Sequence, residues 1–265
     1  MVGGAGCRVQ RDLPDQGRTA GRDRRARTGV TGGFRCRPLP AGTEQPQRDP
    51  AALLHAGADV RSAVPGGTCF AFDLDGTITS EEILPVVAGQ LGLQREMATL
   101  TELTLAGLID FRDSFVLRCA ILRAVPVSTV RDIVAEIELS EAVAQFIRAN
   151  RDRCAVVTGN LDAWITPITD RLGCPVFSSV AATDGDRLTG IDHVLTKSEA
   201  ATQLRESFER IVAVGDSVND VPLFAGADVR IAFGGVHDPA AQLVEVADYI
   251  TYREEALCRV LTTLS

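Results

Sequence analysis

The chain has 265 residues, 45% of them hydrophobic, and a formal net charge of −8. That length holds one medium-sized domain plus an accessory part, with a sizeable core. Residues 67–265 carry sixteen basic against twenty-nine acidic residues. An acidic body of this kind excludes nucleic acid as the main partner, because phosphate contacts need clustered Lys and Arg, and no apolar run reaches the roughly 18 residues needed to span a membrane.

The first 66 residues differ from the rest, with eleven Arg against six acidic residues. Residues 1–50 are rich in Arg, Gly, Pro, Gln and Asp, and burial there cannot offset the entropy of ordering. Residues 1–66 therefore read as a disordered tail. No apolar stretch follows Met1, so a secretory leader is not expected. A start at a non-Met codon near Val60 or Val64 would make the tail non-native. The seven Cys, at 7, 36, 69, 119, 154, 174 and 258, form no C-x-x-C pair. They read as free thiols in a reducing compartment, hence cytoplasmic. The three His are widely spaced and give no zinc signature.

Thr68–Phe72 is a short apolar run ending in a turn, which predicts a buried strand. Similar runs follow at Cys154–Val157, Ile211–Val214 and Val229–Ala232. Helical patterns lie at Glu141–Asn150, Leu161–Leu172, Lys197–Phe208 and Asn219–Ala225. Alternation of this kind predicts an α/β fold, a doubly wound parallel sheet with a Rossmann-like core. Residues 81–140 hold helical patterns and no strand. They read as a small α-helical insert between 67–80 and 141–265, the two parts of the core.

Four polar clusters fall at the carboxyl ends of predicted strands, where such sheets bind ligands. Asp73-Leu-Asp75-Gly-Thr77 presents two carboxylates at i and i+2, which point the same way on extended chain. The pair suits a hard cation and a division into nucleophile and acid/base, although a capped turn is the alternative. Thr158-Gly159-Asn160 is expected to open a helix whose N–H groups suit a phosphate. Lys197 is the only Lys in the chain; a compact ammonium behaves differently from an Arg fork. Thr196-Lys-Ser-Glu199 has the pattern of a capping box. Gly215-Asp216-Ser-Val-Asn219-Asp220 follows a strand in the same way.

This series, Asp73-x-Asp75-Gly-Thr, Thr158-Gly, Lys197 and Gly-Asp216-x-x-Asn-Asp220, resembles the haloacid dehalogenase superfamily. The resemblance implies Mg²⁺ held by Asp73, the Asp75 carbonyl and Asp216. It implies Asp73 as nucleophile and Asp75 as acid/base. Thr158, Gly159 and Lys197 would hold the phosphoryl oxygens, with Asn219 at the substrate and Asp220 supporting Lys197 or the metal. The carboxyl group at Asp75 favours phosphate esters over carbon–halogen bonds. Within the superfamily, the insert resembles the helical cap of the phosphoserine phosphatases. Glu82 would bind the substrate amine there and Arg118 the carboxylate. Thr158-Gly-Asn-Leu161 stands where those enzymes typically carry Ser-Gly-Gly-Phe. The implied function is a cytoplasmic phosphomonoesterase acting on a small phosphorylated metabolite, O-phosphoserine first, in serine biosynthesis. A phosphotransferase or mutase, a phosphatase for another small ester, and a non-catalytic phosphate-binding module stay open as alternatives.

Overall fold

The computed structural model describes residues 67–265 apart from residue 106; the reading of 1–66 as a tail lies outside them. The strands are β1 (Thr68–Phe72), β2 (Cys154–Leu161), β3 (Val176–Asp184), β4 (Arg187–His193), β5 (Arg210–Gly215), β6 (Val229–Phe233) and β7 (Tyr249–Thr251). They form one 7-stranded sheet in the order β4-β3-β2-β1-β5-β6-β7. All neighbours are parallel except the antiparallel pair β3–β4.

β1 is central, with Phe72 registered against Val156 of β2 and Val214 of β5. Because side chains alternate along a strand, Phe70 and Phe72 pack on one face and Cys69 and Ala71 on the other. The first face is covered by α5 (Glu141–Ala149), α6 (Asp162–Leu172) and α10 (Glu254–Leu264), through Ile147, Trp164, Ile168 and Leu257. The ring of Phe146 meets that of Phe70 edge-on at 5.2 Å. The second face is built from smaller residues and is covered by α7 (Lys197–Ser207), α8 (Val221–Ala225) and α9 (Ala241–Val244). Burying one large apolar side chain contributes roughly 1.5–3 kcal/mol, whereas an exposed ion pair contributes about 0–1 kcal/mol. The two apolar layers therefore hold the sheet in place, and the polar groups at its carboxyl edge are left for other work.

Between β1 and α5 lie four helices, α1 (Ile83–Leu91), α2 (Gln94–Leu105), α3 (Phe111–Leu122) and α4 (Val127–Ala135). The two ends of this insert are pinned side by side. Ser80 N donates to Glu138 O (3.0 Å) and Ser140 N donates to Ile78 O (2.8 Å).

Three local expectations are corrected. The chain stays extended through Thr158-Gly159-Asn160 as the end of β2, and α6 opens only at Asp162. Leu161 pairs with Ser179 of β3 across a register shift, and Ser179 Oγ donates to Gly159 O (2.7 Å), which holds the segment in the sheet. The helix expected over Asn219–Ala225 is split into a 3₁₀ turn, Val218–Asp220, and α8, with a Pro in the first turn of α8. Strands β3, β4 and β7 were not foreseen: serines and charged residues interrupt the apolar pattern of β3 and β4, and β7 is only 3 residues long. No helix among the described residues is long and apolar enough to cross a membrane.

Candidate active site

Asp73 and Asp75 leave the carboxyl end of β1. Asp73 N donates to Val214 O (2.9 Å), which ties the start of the loop to β5. Leu74 O accepts from Ile78 N (2.9 Å), Thr79 N (3.0 Å) and Thr79 Oγ1 (3.1 Å), closing a tight turn. Among the described residues, the Asp75 carbonyl accepts no hydrogen bond. The Asp75 side chain is held at both oxygens: Ile83 N at the start of α1 donates to Oδ1 (2.9 Å), and Asn160 Nδ2 donates to Oδ2. One carboxylate thus joins the loop after β1, the helical insert and the end of β2.

Lys197 is the first residue of α7, and Thr196 N donates to Glu199 Oε2 (3.1 Å) as the capping-box pattern predicted. Its ammonium is 8% exposed and donates to Asp73 Oδ1 and Asp220 Oδ1. Asp220 in turn accepts at Oδ2 from Asp216 N (3.0 Å) and Ser217 N (2.9 Å). This close fold-back depends on Gly215, where a Cβ would lie 2.4 Å from Asp220 Cγ. Asp216 is 1% exposed and accepts from Thr77 Oγ1 (3.3 Å) at Oδ1. Thr158 is also buried, and its Oγ1 accepts from Asn160 N (3.1 Å). Gly159 is covered from the insert by Phe111, whose ring would be 3.5 Å from a Cβ there. Asn219 is half-buried in the 3₁₀ turn and hydrogen-bonds to none of the other predicted residues.

Four carboxylates lie around one ammonium, and the pKa values of Asp73, Asp75 and Asp216 register the imbalance. Burial, with Asp220 beside it, pushes Asp73 up to about 8, although Lys197 opposes the rise. Burial and Glu82 push Asp75 up to about 7, and burial and Asp73 push Asp216 up to about 8. Burial disfavours the Lys197 charge, but Asp220 and Asp73 overcome it and hold the ammonium above its usual value. Such a surplus of negative charge fits a hard cation. Asp73, Asp216 and Asp220 offer ligand atoms within 4.8 Å of one another. Asp220 already spends its oxygens on Lys197 and two backbone N–H groups, so Asp73 and Asp216, with the Asp75 carbonyl, are the fitting donors.

The predicted substrate-recognition residues are looser. Glu82 precedes α1 and is partly exposed. Its Oε1 lies 3.3 Å from His237 Nε2, in the loop after β6. Arg118 of α3 donates to Thr101 Oγ1 (2.9 Å) and bonds to none of the other predicted residues. Burial lowers its pKa, while Glu82 acts to raise it. His237 and the contact of Asn160 with Asp75 were missed as site features. The His237 loop also leaves the carboxyl end of a strand, the signal that located the other clusters.

A sequence profile of the haloacid dehalogenase-like hydrolases matches residues 70–225. The chain belongs to the haloacid dehalogenase-like hydrolase family. It is 32% identical over 191 residues to phosphoserine phosphatase SerB2 of Mycobacterium tuberculosis, a match covering 67% of this chain and 46% of that protein. It therefore spans about half the length of that relative. It is 27% identical over 175 residues to the phosphoserine phosphatase of Methanocaldococcus jannaschii, covering 61% of this chain and 83% of that one. The solved structure of a phospho-aspartyl intermediate analogue of phosphoserine phosphatase superposes with a TM-score of 0.63 at 25% identity, covering 76% of this chain and all of the other. The chain is thus a phosphoserine phosphatase-like member of the family, with the mostly parallel, two-sided sheet of its relatives.

Proposed function

We propose that this hydrolase is a Mg²⁺-dependent phosphomonoesterase working through an aspartyl-phosphate on Asp73, with O-phosphoserine as its substrate. The observation that carries this reading is the buried Asp73–Lys197–Asp220 chain beside Asp75 and Asp216, at the carboxyl edge of the sheet. The names of the relatives support the substrate. Asp73 attacks phosphorus as the ester P–O bond breaks, and the protonated Asp75 gives its proton to the leaving oxygen. The Asp75 carboxylate then takes a proton from water, whose oxygen attacks phosphorus. The bond to Asp73 breaks, and phosphate leaves with both carboxyl groups restored. A pKa near 7 suits Asp75 to exchange a proton in both directions.

Lys197, Thr158 and the Gly159 N–H would hold the phosphoryl oxygens, and Asn219 would line the site next to them. Asp220 would orient Lys197. Asp73, Asp216 and the Asp75 carbonyl would hold Mg²⁺, which when bound neutralises charge on the phosphoryl group. Residues 81–140 would act as a cap over the core formed by 67–80 and 141–265, with Arg118 on the substrate carboxylate and Glu82 on its amine. Two observations favour a different small phosphate ester: Glu82 lies against His237, and Asn160 adds a side chain beside Asp75.

The test is phosphate release across a panel of O-phosphoserine, O-phosphothreonine, sugar phosphates and an aryl phosphate. O-Phosphoserine should give the highest kcat/KM, lost with a chelator and restored by Mg²⁺. Release unaffected by chelation, or a sugar phosphate preferred over O-phosphoserine, would contradict the metal or the substrate respectively.

A further inference from the structure

His237 sits in the loop that follows β6, anchored at both ends by main-chain bonds. Gly234 N donates to Thr251 O (2.8 Å), and Ala240 N donates to Asp216 O (2.8 Å). The imidazole is fixed between them. Its Nδ1 lies 3.0 Å from Asp238 O. A carbonyl oxygen only accepts, so Nδ1 carries the proton in this contact. In the neutral ring, Nε2 is then left with its lone pair. That lone pair faces two carboxylate oxygens, Asp216 Oδ2 at 2.9 Å and Glu82 Oε1 at 3.3 Å. Three ligand atoms converge on one point, and either a proton on Nε2 or a bound cation supplies the positive charge that two carboxylates beside it favour.

Three further features favour a metal ion for that charge. Asp216 is 1% exposed, and apart from the His237 Nε2 contact its buried Oδ2 accepts no hydrogen bond among the described residues. The space between the carboxylates is kept open by Gly76. A Cβ there would lie 2.8 Å from Asp216 Oδ2 and 3.5 Å from Glu82 Oε1. An Nδ1–H on a backbone carbonyl with Nε2 turned to the ion is the usual posture of a ligating histidine, because the outer bond fixes ring and tautomer. The spacing is also close. Ligand atoms about 2.0–2.1 Å from a tetrahedral ion lie roughly 3.3 Å apart; Glu82 Oε1 is at that distance from Nε2, and Asp216 Oδ2, at 2.9 Å, is slightly nearer.

We propose that Glu82, Asp216 and His237 form a second divalent-metal site, selective for a first-row transition ion such as Zn²⁺ or Co²⁺. One imidazole and two carboxylates suit such ions, whereas Mg²⁺ prefers oxygen ligands alone. Asp216 is the shared wall. Its Oδ2 faces His237, Oδ1 accepts from Thr77 at 3.3 Å, and one of its oxygens lies within 4.8 Å of a ligand atom of Asp73. His237 and Glu82 are 42% and 41% exposed at the side chain, which leaves an ion a path in from solvent. Where the phosphatase reading also holds, an ion here engages the carboxylate assigned to the substrate amine and lowers affinity for that amine.

The experiment is Zn²⁺ titration of the full chain by calorimetry in excess Mg²⁺, for the wild type, His237→Ala and Asp73→Asn, with no substrate present. Removing one ligand typically weakens a site by 10-fold or more. We expect one Zn²⁺ to bind the wild type and Asp73→Asn alike, and His237→Ala to bind it at least about 10-fold more weakly. X-ray absorption on the Zn²⁺-loaded wild type should show one imidazole nitrogen among oxygen ligands. That measurement needs no variant to fold. Equal affinity in His237→Ala, loss of binding in Asp73→Asn, or a sulfur-rich shell would each overturn the site. Because the readout is binding, these outcomes are separate from failure of the phosphatase reading, which the substrate panel decides.

Discussion

The floor and the roof of the site are built differently. On the floor, Asp73, Lys197, Asp216 and Asp220 are nearly inaccessible, and each leans on another through a charged hydrogen bond. On the roof, Glu82, Arg118 and Phe111 come from the insert, are partly exposed, and meet the floor at few points. A buried charge network tolerates little change, because removing one partner strands the others. A half-exposed shell of side chains can be altered without unfolding the sheet. Under the proposed function, the contrast places the chemistry on the core and the choice of substrate on the part that can vary.

Changes to the floor should have the largest effects. Asp220→Ala removes a partner of Lys197 and leaves the N–H groups of Asp216 and Ser217 without their acceptor. We expect a loss of about 3 kcal/mol in stability by urea unfolding, together with most of the turnover. A loss below about 1 kcal/mol would show that the network is not interlocked. Arg118→Ala touches only the roof. It should raise KM for O-phosphoserine by roughly 10-fold or more, the range for a lost charge-assisted pair, and leave KM for an aryl phosphate unchanged. Equal shifts for both would remove Arg118 from carboxylate recognition. Asn160→Gly lies where floor and roof meet. It frees Asp75 Oδ2 from its donor, and kcat should fall by roughly 10-fold for one lost positioning bond with little change in KM. A change in KM alone would make Asn160 a wall of the pocket, with no part in holding the acid/base group.

The floor was also the part most legible in the sequence. β1, β2, β5 and β6 carry continuous apolar runs because both faces of the sheet are covered, and Asp73, Asp75 and Asp216 follow the ends of β1 and β5. Lys197 stood out because every other basic residue is Arg. β3 was hidden because Ser178 and Ser179 are buried polar positions in it, and β4 because its pattern is polar. The segment from Thr158 to Leu161 was misread because side-chain periodicity cannot register the bond from Ser179 to Gly159 O that keeps it extended. His237 was illegible for another reason. Its partner Glu82 lies 155 positions away, and only the fold brings the two together.

The central claim is that the carboxylate of Asp73 becomes phosphorylated during turnover. It is tested most directly by quenching the enzyme with acid during steady-state hydrolysis of a ³²P-labelled phosphate ester and mapping the label by peptide mass spectrometry, with Asp73→Asn in parallel. The account predicts one acid-stable acyl-phosphate on Asp73, and no label and at least roughly 10³-fold slower turnover in Asp73→Asn. Label on another residue, or undiminished turnover in Asp73→Asn, would contradict it.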